Sequence, residues 1–154
     1  MPYTPGYVCG WRVNGQRDRQ FVGMGYWLLL VDQPTGPYPH LLISSGKTGT
    51  IYVINRDNMG HYSGDDSQIV QTLVGALASD GTFETGNYSS PAYFNGYVYF
   101  AAVNDTLKAF QLNNGLLSQS PSSQSTVLYP CRGASFAISA NGVTNGILPP
   151  LPSL

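Results

Sequence analysis

Short apolar runs separated by glycine-containing or polar turns recur along the chain and predict antiparallel β-hairpins. The first hairpin is "HLLISS-GKTG-TIYVIN" over residues 40–55, and the second is "YVYFAA-VNDT-LKAFQL" over residues 97–112. Laid over each other, the hairpins are offset by 56 residues, with Ile51 over Leu107 and Ile54 over Phe110. The pattern therefore predicts one hairpin that is used twice.

Asn-Gly pairs mark a further recurring element. "SSPAYFNG" (residues 89–96) precedes the second hairpin, and "SFAISANG" (residues 135–142) follows at an offset of 46 residues. Asn and Gly tolerate the positive φ that a two-residue turn between antiparallel strands requires. Weaker fourth strands are predicted in "SQIVQTLVG" (residues 67–75) and "SQSTVLY" (residues 123–129). The repeating unit is therefore a four-stranded antiparallel sheet.

Such a unit, recurring roughly every 40–60 residues, is typical of a β-propeller blade. The prediction is an all-β fold: an incomplete β-propeller with about two full four-stranded antiparallel blades plus partial blades. A plain β-sandwich with chance similarity between its hairpins is the alternative. The predicted organisation is an irregular segment over residues 1–25, a partial propeller over 26–148 with units at 26–75, 89–129 and 134–148, and a Pro-rich tail over 149–154.

The tail is expected to end the third unit early. Pro149, Pro150 and Pro152 cannot donate ladder hydrogen bonds, so the strand before them should stop. A closed propeller needs at least about four blades, which these units do not supply. We therefore expect exposed strand edges and blade faces that favour self-association.

Composition supports the β prediction and excludes some partners. Charged residues make up 10% of the 154 residues, against roughly 25% in an average domain, while Gly (18), Pro (11) and Tyr (11) are abundant. The net charge of -1 gives no basic footprint for nucleic acid. The longest early apolar run, "YWLLLV", is too short to span a membrane, and no signal-peptide pattern opens the chain. Cys9 and Cys131 are too few for a disulfide framework, and whether they pair stays open.

The stretch "GKTGTIYVINRDN" (residues 46–58) resembles the repeat of pyrroloquinoline-quinone-type propellers, whose units commonly read Gly-x-x-Gly-x-Ile/Leu-Tyr-x-Leu/Ile-Asp/Asn. "SSPAYFNGYVYFAAVNDTLKAFQLNNG" (residues 89–115) is similar to the same repeat, from its Ser-Pro opening to its "LKAF" third strand. The resemblance covers roughly residues 28–148. It implies a secreted or periplasmic bacterial parent family.

The chain departs from the enzymes of that family. Quinoprotein dehydrogenases resembling this fold carry a Trp late in each blade, and an Asp base beside a Glu and an Asn that hold Ca²⁺ under the quinone. Here neither Trp11 nor Trp27 occurs late in a unit, and Glu84 is the only Glu. Those enzymes often also carry a disulfide between neighbouring cysteines, whereas no two Cys are adjacent in this chain. We therefore assign no catalytic residue and no metal ligand, and any cofactor-binding residue stays unknown.

These observations favour a non-enzymatic propeller module that serves as a scaffold for protein or glycan binding and needs no cofactor. One alternative is a fragment of a quinone-dependent dehydrogenase whose catalytic residues lie outside this chain, with pyrroloquinoline quinone and calcium as its cofactors. Another is a truncated excerpt with no independent function. Expected partners are a second copy, a protein or a glycan.

The densest polar cluster is "NRDNMGHYSGDD" (residues 55–66). Asn55, Asp57, Gly60 and Asp66 fall at positions 1, 3, 6 and 12 of an EF-hand count, which would suit calcium. Position 5 is Met59, however, and no helices flank the loop. The favoured interpretation is that Asn, Asp and Gly form tight turns here and that the two aspartates at the end of the cluster lie in a solvated loop.

Two other catalytic patterns are incomplete. His40 and His61 are the only histidines, so a Ser-His-Asp arrangement stays open, but no Gly-x-Ser-x-Gly elbow occurs. The Gly-Lys-Thr around Lys47 lacks the upstream Gly of a phosphate loop and precedes a strand instead of a helix. We expect Lys47 to be an exposed turn residue.

Aromatic residues alternate along the second hairpin. Tyr97 and Tyr99 should share one face of the strand, with Val98 and Phe100 on the other. Apolar or aromatic character on both faces predicts a sheet that is packed between two neighbours. A carbohydrate-binding platform, which would also involve Tyr93, would use the same aromatics in exposed positions.

Overall fold

A computed structural model describes residues 28–29, 33, 35–61, 65–77, 86–130, 133–147 and 150–151. These residues form β-strands and no helix. The strands are β1 Leu28–Leu29, β2 Leu41–Ser45, β3 Ile51–Asn55, β4 Gln71–Leu73, β5 Ala92–Phe94, β6 Tyr97–Ala101, β7 Asp105–Asn113, β8 Leu116–Leu117, β9 Ser123–Tyr129, β10 Ser135–Phe136, β11 Ser139–Asn141, β12 Thr144–Ile147 and β13 Pro150–Leu151. The segment over 1–25 lies outside the described residues, as do Cys9, Trp11, Trp27, Glu84 and Cys131.

The fold is all-β, as predicted, and its sheets are antiparallel and open. The first sheet has the order β1-β2-β3-β4. The second sheet has the order β5-β6-β7, with β8 and β9 both pairing β7. The backbone groups of odd-numbered β7 residues form hydrogen bonds toward β8 and β9. The Gln111 carbonyl accepts from the Ser118 N–H, and the Ala109 carbonyl accepts from the Ser122 N–H. The fourth strand of the second sheet is therefore interrupted, with β8 and β9 along one edge of β7.

The repeated hairpin is confirmed pair by pair. In the first sheet Leu42 lies opposite Ile54 and Ser45 opposite Ile51. In the second sheet Val98 lies opposite Phe110 and Ala101 opposite Leu107, which is the same register shifted by 56 residues. Equal register follows from equal loop length, because the loop fixes which residues face each other.

The two sheets stack face to face around one core. The face of the first sheet that carries Ile43, Ile51 and Val53 joins the face of the second sheet that carries Val98 and Phe100. All five side chains are fully buried. We call the face with Ile43, Ile51 and Val53 the trailing face of the first sheet. We call the face with Val98 and Phe100 the leading face of the second sheet. Burial of branched and aromatic side chains from both sheets makes the main favourable contribution to the free energy of folding.

A side-chain amide links the sheets at their edges. The Leu117 N–H donates to Gln71 Oε1 at 2.8 Å, and Gln71 Nε2 donates to the Leu117 carbonyl at 2.9 Å. Gln71 lies in β4 and Leu117 in β8, so the amide acts as a substitute for a neighbouring strand. Both groups are partly buried, which raises the cost of leaving either one unpaired.

Gln71→Glu is expected to destabilise the protein by about 1–3 kcal/mol, because a carboxylate cannot donate to the Leu117 carbonyl. The free energy of unfolding from urea titration followed by circular dichroism measures the effect. Gln124→Glu is the matched control, because Gln124 is exposed on β9. Equal losses in the two variants would contradict the assigned role of Gln71.

Gly146 of the third unit contacts the opposite face of the second sheet, which we call its trailing face. That face carries Phe94 and Tyr97, which lie opposite each other in β5 and β6. A Cβ added to Gly146 in β12 would lie 2.4 Å from Phe94 Cε1, so the backbone of the third unit contacts the Phe94 ring directly. A side chain at position 146 would therefore collide with this ring, although the strands β11 and β12 themselves are exposed.

The third unit differs from its expected form in two places. Its two-residue turn is Gly142–Val143, because Asn141 pairs with Thr144, whereas the Asn-Gly alignment predicted Asn141–Gly142. Gly142 supplies the positive φ of 63°, and Asn145 (φ 54°) accompanies an irregular register. In the second sheet the predicted Asn95–Gly96 turn is observed, with φ of 46° and 82°.

The Pro-rich end was expected only to stop a strand. The strand β12 does end at Ile147, but β13 then pairs with β10, with Pro150 opposite Phe136. Proline is compatible with such a short edge pairing because it retains its carbonyl acceptor.

Candidate functional site

Polar side chains gather at the two ends of the first sheet. At one end, antiparallel pairing of Leu41 with Asn55 brings His40 close to Asp57. His40 Nδ1 lies 2.7 Å from Asp57 Oδ2 and 2.9 Å from Oδ1. The side chains are 31% and 52% exposed, so solvent screens this contact. Sequence analysis missed the contact, although the predicted hairpin register places the two residues at one end of the sheet.

The neighbouring loop uses its oxygens in its own turns. Asn55 Oδ1 accepts the Asp57 N–H, and Asn58 Oδ1 accepts the Gly60 N–H. Asp65 Oδ1 accepts both the N–H and the hydroxyl of Ser67. The prediction of tight Asx turns is confirmed for these residues.

Further observations concern the same loop. Asp65 and Asp66 are exposed, as expected for a solvated loop. His61 is also exposed and has a φ of 57°. Across the described ranges, no group of three or more His, Cys, Asp or Glu side chains is arranged to hold a metal ion.

The donor set of a calcium-quinone site was tested against the observed carboxylates. Asp57 contacts His40, Asp65 contacts Ser67, and Asp105 contacts Lys108. In the part of the chain that the structure describes, these three carboxylates have separate partners and do not gather in one group. The described carboxylates do not form that donor set, and we derive no chemistry through it.

At the other end of the first sheet, the chain crosses from one sheet to the next over the turn at residues 46–49. The Asn87 N–H donates to the Gly46 carbonyl at 3.2 Å, and Asn87 Nδ2 donates to Ser45 Oγ at 2.6 Å and to the Ser89 carbonyl at 2.7 Å. Asn87 is fully buried, so these bonds replace water around its amide. Nothing in the sequence pattern marked Asn87, because the contact depends on how the connection crosses the turn.

The same crossing occurs after the second sheet. A Cβ on Gly86 would lie 2.4 Å from the Lys47 carbonyl oxygen, and one on Gly133 would lie 2.2 Å from the Ala101 carbonyl oxygen. The Ala134 N–H also donates to the Ala101 carbonyl. Both glycines have positive φ, at 109° and 65°. The two connections between units are therefore built alike, with a glycine at the closest backbone approach.

Lys47 lies in a turn, as expected, but the expectation that it is exposed is wrong. Lys47 is half-buried, and its Nζ lies 5.5 Å from the centre of the Tyr88 ring, which is within cation–π distance. The connection through Gly86 covers this turn, and β3 follows it as predicted. The turn around Lys47 is therefore packed beneath this connection and does not form a phosphate loop.

A buried ion pair lies between the sheets. Lys108 Nζ contacts Asp105 Oδ2 at 2.8 Å and donates to the Ala76 carbonyl at 3.2 Å. The side chains of Lys108 and Asp105 are 15% and 8% exposed. Asp105 Oδ1 also accepts the Thr106 N–H. Lys108 therefore joins β7 to the chain after β4, and it cannot act on an external substrate without breaking this contact.

The aromatic prediction is confirmed for Val98 and Phe100, which are fully buried, while Tyr97 and Tyr99 are half-buried. Tyr93 is 37% exposed and lies opposite Val98. The tyrosines therefore do not form one exposed platform. Burial raises the pKa of Tyr99, and the nearby Tyr97 raises it further.

Stability is expected to fall as the pH rises above about 10, because Tyr99 has a raised pKa in the folded protein and an ordinary one when unfolded. The folded state then binds more protons than the unfolded state, so deprotonation favours unfolding. Burial raises the pKa of Tyr88 in the same direction. Tyr99→Phe should flatten this alkaline slope in part, as measured by urea titration at several pH values. Tyr93→Phe is the control, and an equal flattening there would contradict the assignment.

The fold and these contacts define an all-β protein of stacked antiparallel sheets with buried polar links between them. A scan against protein-family models and searches of curated proteins and of solved structures returned no match. Within the described residues there is no helix long and apolar enough to cross a membrane.

Proposed function

We propose that the chain is a non-catalytic β-propeller repeat module that serves as a scaffold for protein or glycan binding in a secreted or periplasmic bacterial protein. One observation carries the proposal: the first two sheets stack face to face, and the connections that follow them are built alike. The trailing face of the first sheet joins the leading face of the second in one core, and Gly86 and Gly133 pass close to the backbone of the preceding hairpins. This is the stacking that a repeat architecture requires.

The side chains support a scaffold more than a reaction. Asn87 bonds to the Ser45 hydroxyl and the Ser89 carbonyl, and Lys108 bonds to Asp105 and the Ala76 carbonyl, so these polar groups serve internal contacts. The His40–Asp57 pair is exposed, at the open end of the first hairpin. Polar groups at the ends of strands, held by a rigid sheet, are the usual position for binding surfaces.

The test compares binding with oxidation on the same purified protein. We expect saturable binding of one glycan class on an array of bacterial and plant oligosaccharides, or of one purified protein partner. We expect no dye reduction with alcohols or sugars after addition of pyrroloquinoline quinone and Ca²⁺. Quinone- and calcium-dependent dye reduction would overturn the non-catalytic assignment in favour of a dehydrogenase fragment.

A further inference from the structure

Asn-Gly pairs carry a reaction that most other pairs of residues undergo slowly. The backbone nitrogen of the Gly attacks the side-chain amide of the Asn, and Gly favours this attack because it places no side chain beside its own nitrogen. Four such pairs lie in the described residues, at 95–96, 114–115, 141–142 and 145–146, and a fifth at 14–15 lies outside them. All four described asparagines are exposed. Exposure therefore does not distinguish them, and the local backbone decides which one reacts.

Three of the four asparagines are held in the left-handed backbone region. Asn95, Asn114 and Asn145 have φ of 46°, 49° and 54°. In this region ψ is also positive, so the Cβ lies nearly opposite the following nitrogen across the Cα–C bond. The side-chain amide carbon therefore lies far from that nitrogen and reaches it only after the turn opens.

Further contacts keep these three turns closed. The Gly96 carbonyl accepts a backbone N–H of β7 at 2.8 Å. Gly115 is buried, and a Cβ added to it would lie 3.2 Å from a ring atom of Tyr38. The backbone of Gly146 contacts the Phe94 ring. Opening any of the three turns therefore breaks a contact with another part of the fold.

Asn141 differs from the other three in its backbone and its surroundings. It is the last residue of β11 and does not have a positive φ. Gly142 is exposed, and a Cβ added to it would meet no atom within 4 Å. The Asn141 carbonyl accepts the hydroxyl of Thr144 at 2.9 Å, in a contact that is exposed to solvent. The Gly142 nitrogen is therefore reached by a local movement of the hairpin turn alone.

We propose that Asn141 is a site of spontaneous deamidation and reacts ahead of the other described Asn-Gly pairs. The Gly142 nitrogen bonds to Asn141 Cγ and gives up its proton, while the bond from Cγ to Nδ2 breaks and the amide leaves as ammonia. Water then opens the resulting succinimide. Addition at Cγ gives aspartate, and addition at the main-chain carbonyl gives isoaspartate. Water is the only co-reactant, and the inference does not depend on the proposed scaffold function.

The product changes the third unit in two ways. Residues 133–147 contain no Asp, Glu, Lys or Arg, so the new carboxylate introduces the first acidic or basic side chain there. Isoaspartate also adds a methylene group to the main chain between residues 141 and 142, which displaces the pairing of Asn141 with Thr144. An isoaspartyl residue in an exposed hairpin has the chemistry that a protein-isoaspartyl methyltransferase recognises.

The first experiment ages the purified full chain at neutral and mildly alkaline pH and follows each site by mass spectrometry. Trypsin separates Asn95, Asn114 and the third unit into the peptides 57–108, 109–132 and 133–154. Electron-transfer fragmentation then distinguishes Asn141 from Asn145. We expect Asn141 to react about tenfold faster than each of the other three, the ratio that an opening cost of about 1.4 kcal/mol produces. Equal rates at Asn141 and Asn145, which share one exposed hairpin, overturn the proposal.

The second experiment measures the isoaspartate directly. Aged protein is labelled by a protein-isoaspartyl methyltransferase with a labelled methyl donor, and the label in the peptide 133–154 is counted. Asn141→Gln should remove most of this label, because glutamine would have to form a larger and less favourable ring. Asn145→Gln is the matched control and should retain the label. Loss of label in Asn145→Gln but not in Asn141→Gln would place the reaction at the wrong residue and contradict the assignment.

Discussion

Replacing Phe100 with alanine is expected to lower the free energy of unfolding by about 3–5 kcal/mol, the usual cost of deleting a buried phenyl ring. Phe100 is fully buried on the leading face of the second sheet. Its ring meets that of Phe110 edge to face, with 5.9 Å between ring centres and an interplanar angle of 82°. Such a loss is a large part of the roughly 5–15 kcal/mol that stabilises a typical domain.

Tyr93→Ala is the matched control for Phe100→Ala. Both residues are aromatic and lie on the leading side of the second sheet, but Tyr93 is 37% exposed. Urea titration followed by circular dichroism should show a clearly smaller loss for Tyr93→Ala. If the two losses are equal, Phe100 is not at the centre of the contact between the sheets.

Lys108→Met is expected to destabilise the protein by about 3–5 kcal/mol, because it leaves the buried Asp105 carboxylate without its cation. The Ala76 carbonyl would lose its donor in the same variant. The same urea titration measures the loss. A change of less than about 1 kcal/mol, as for a surface ion pair, would show that Lys108 is not buried between the sheets.

The double variant Lys108→Met/Asp105→Asn isolates the ion pair from the packing. Asparagine keeps an oxygen that can accept the Thr106 N–H, and it carries no charge. Most of the lost stability should therefore return, because replacing both charged partners removes the uncompensated charge. Additive losses in the double variant would contradict coupling between the two side chains.

The strands that form the two hairpins could be predicted from the sequence. Alternation of apolar residues and equal loop lengths determine strand, register and face, so the pairing of Leu42 with Ile54 and of Val98 with Phe110 follows from one alignment. The burial of Phe100 follows in the same way. The resemblance to the quinone-type repeat predicted a propeller, and the propeller remains part of the proposal.

The polar links could not be predicted, because they depend on contacts between units. Asn87 bonds to Ser45 only because the connection crosses the first turn, and Gln71 bonds to Leu117 only because β4 lies beside β8. Neither contact follows from a local pattern. The Gly142–Val143 turn shows the same limit, since an Asn-Gly pair favours a turn without fixing which two residues form it.

The contacts between units explain why polar and small residues occupy particular positions. Gly146 allows the backbone of the third unit to contact Phe94, and the Gly86 and Gly133 crossings allow each connection to pass over the preceding hairpin. The buried polar groups satisfy backbone atoms that the crossings leave without strand partners. A glycine crossing at each successive connection is expected when one unit is repeated along a chain.

The most direct test of the contact between successive units is the nuclear Overhauser effect between the Gly146 α-protons and the ring protons of Phe94. The contact predicts a strong cross-peak and a ring-current shift of the Gly146 α-protons, because the Gly146 backbone touches that ring. Absence of the cross-peak, with Gly146 α-proton shifts at random-coil values, would contradict the packing of the third unit on the second sheet.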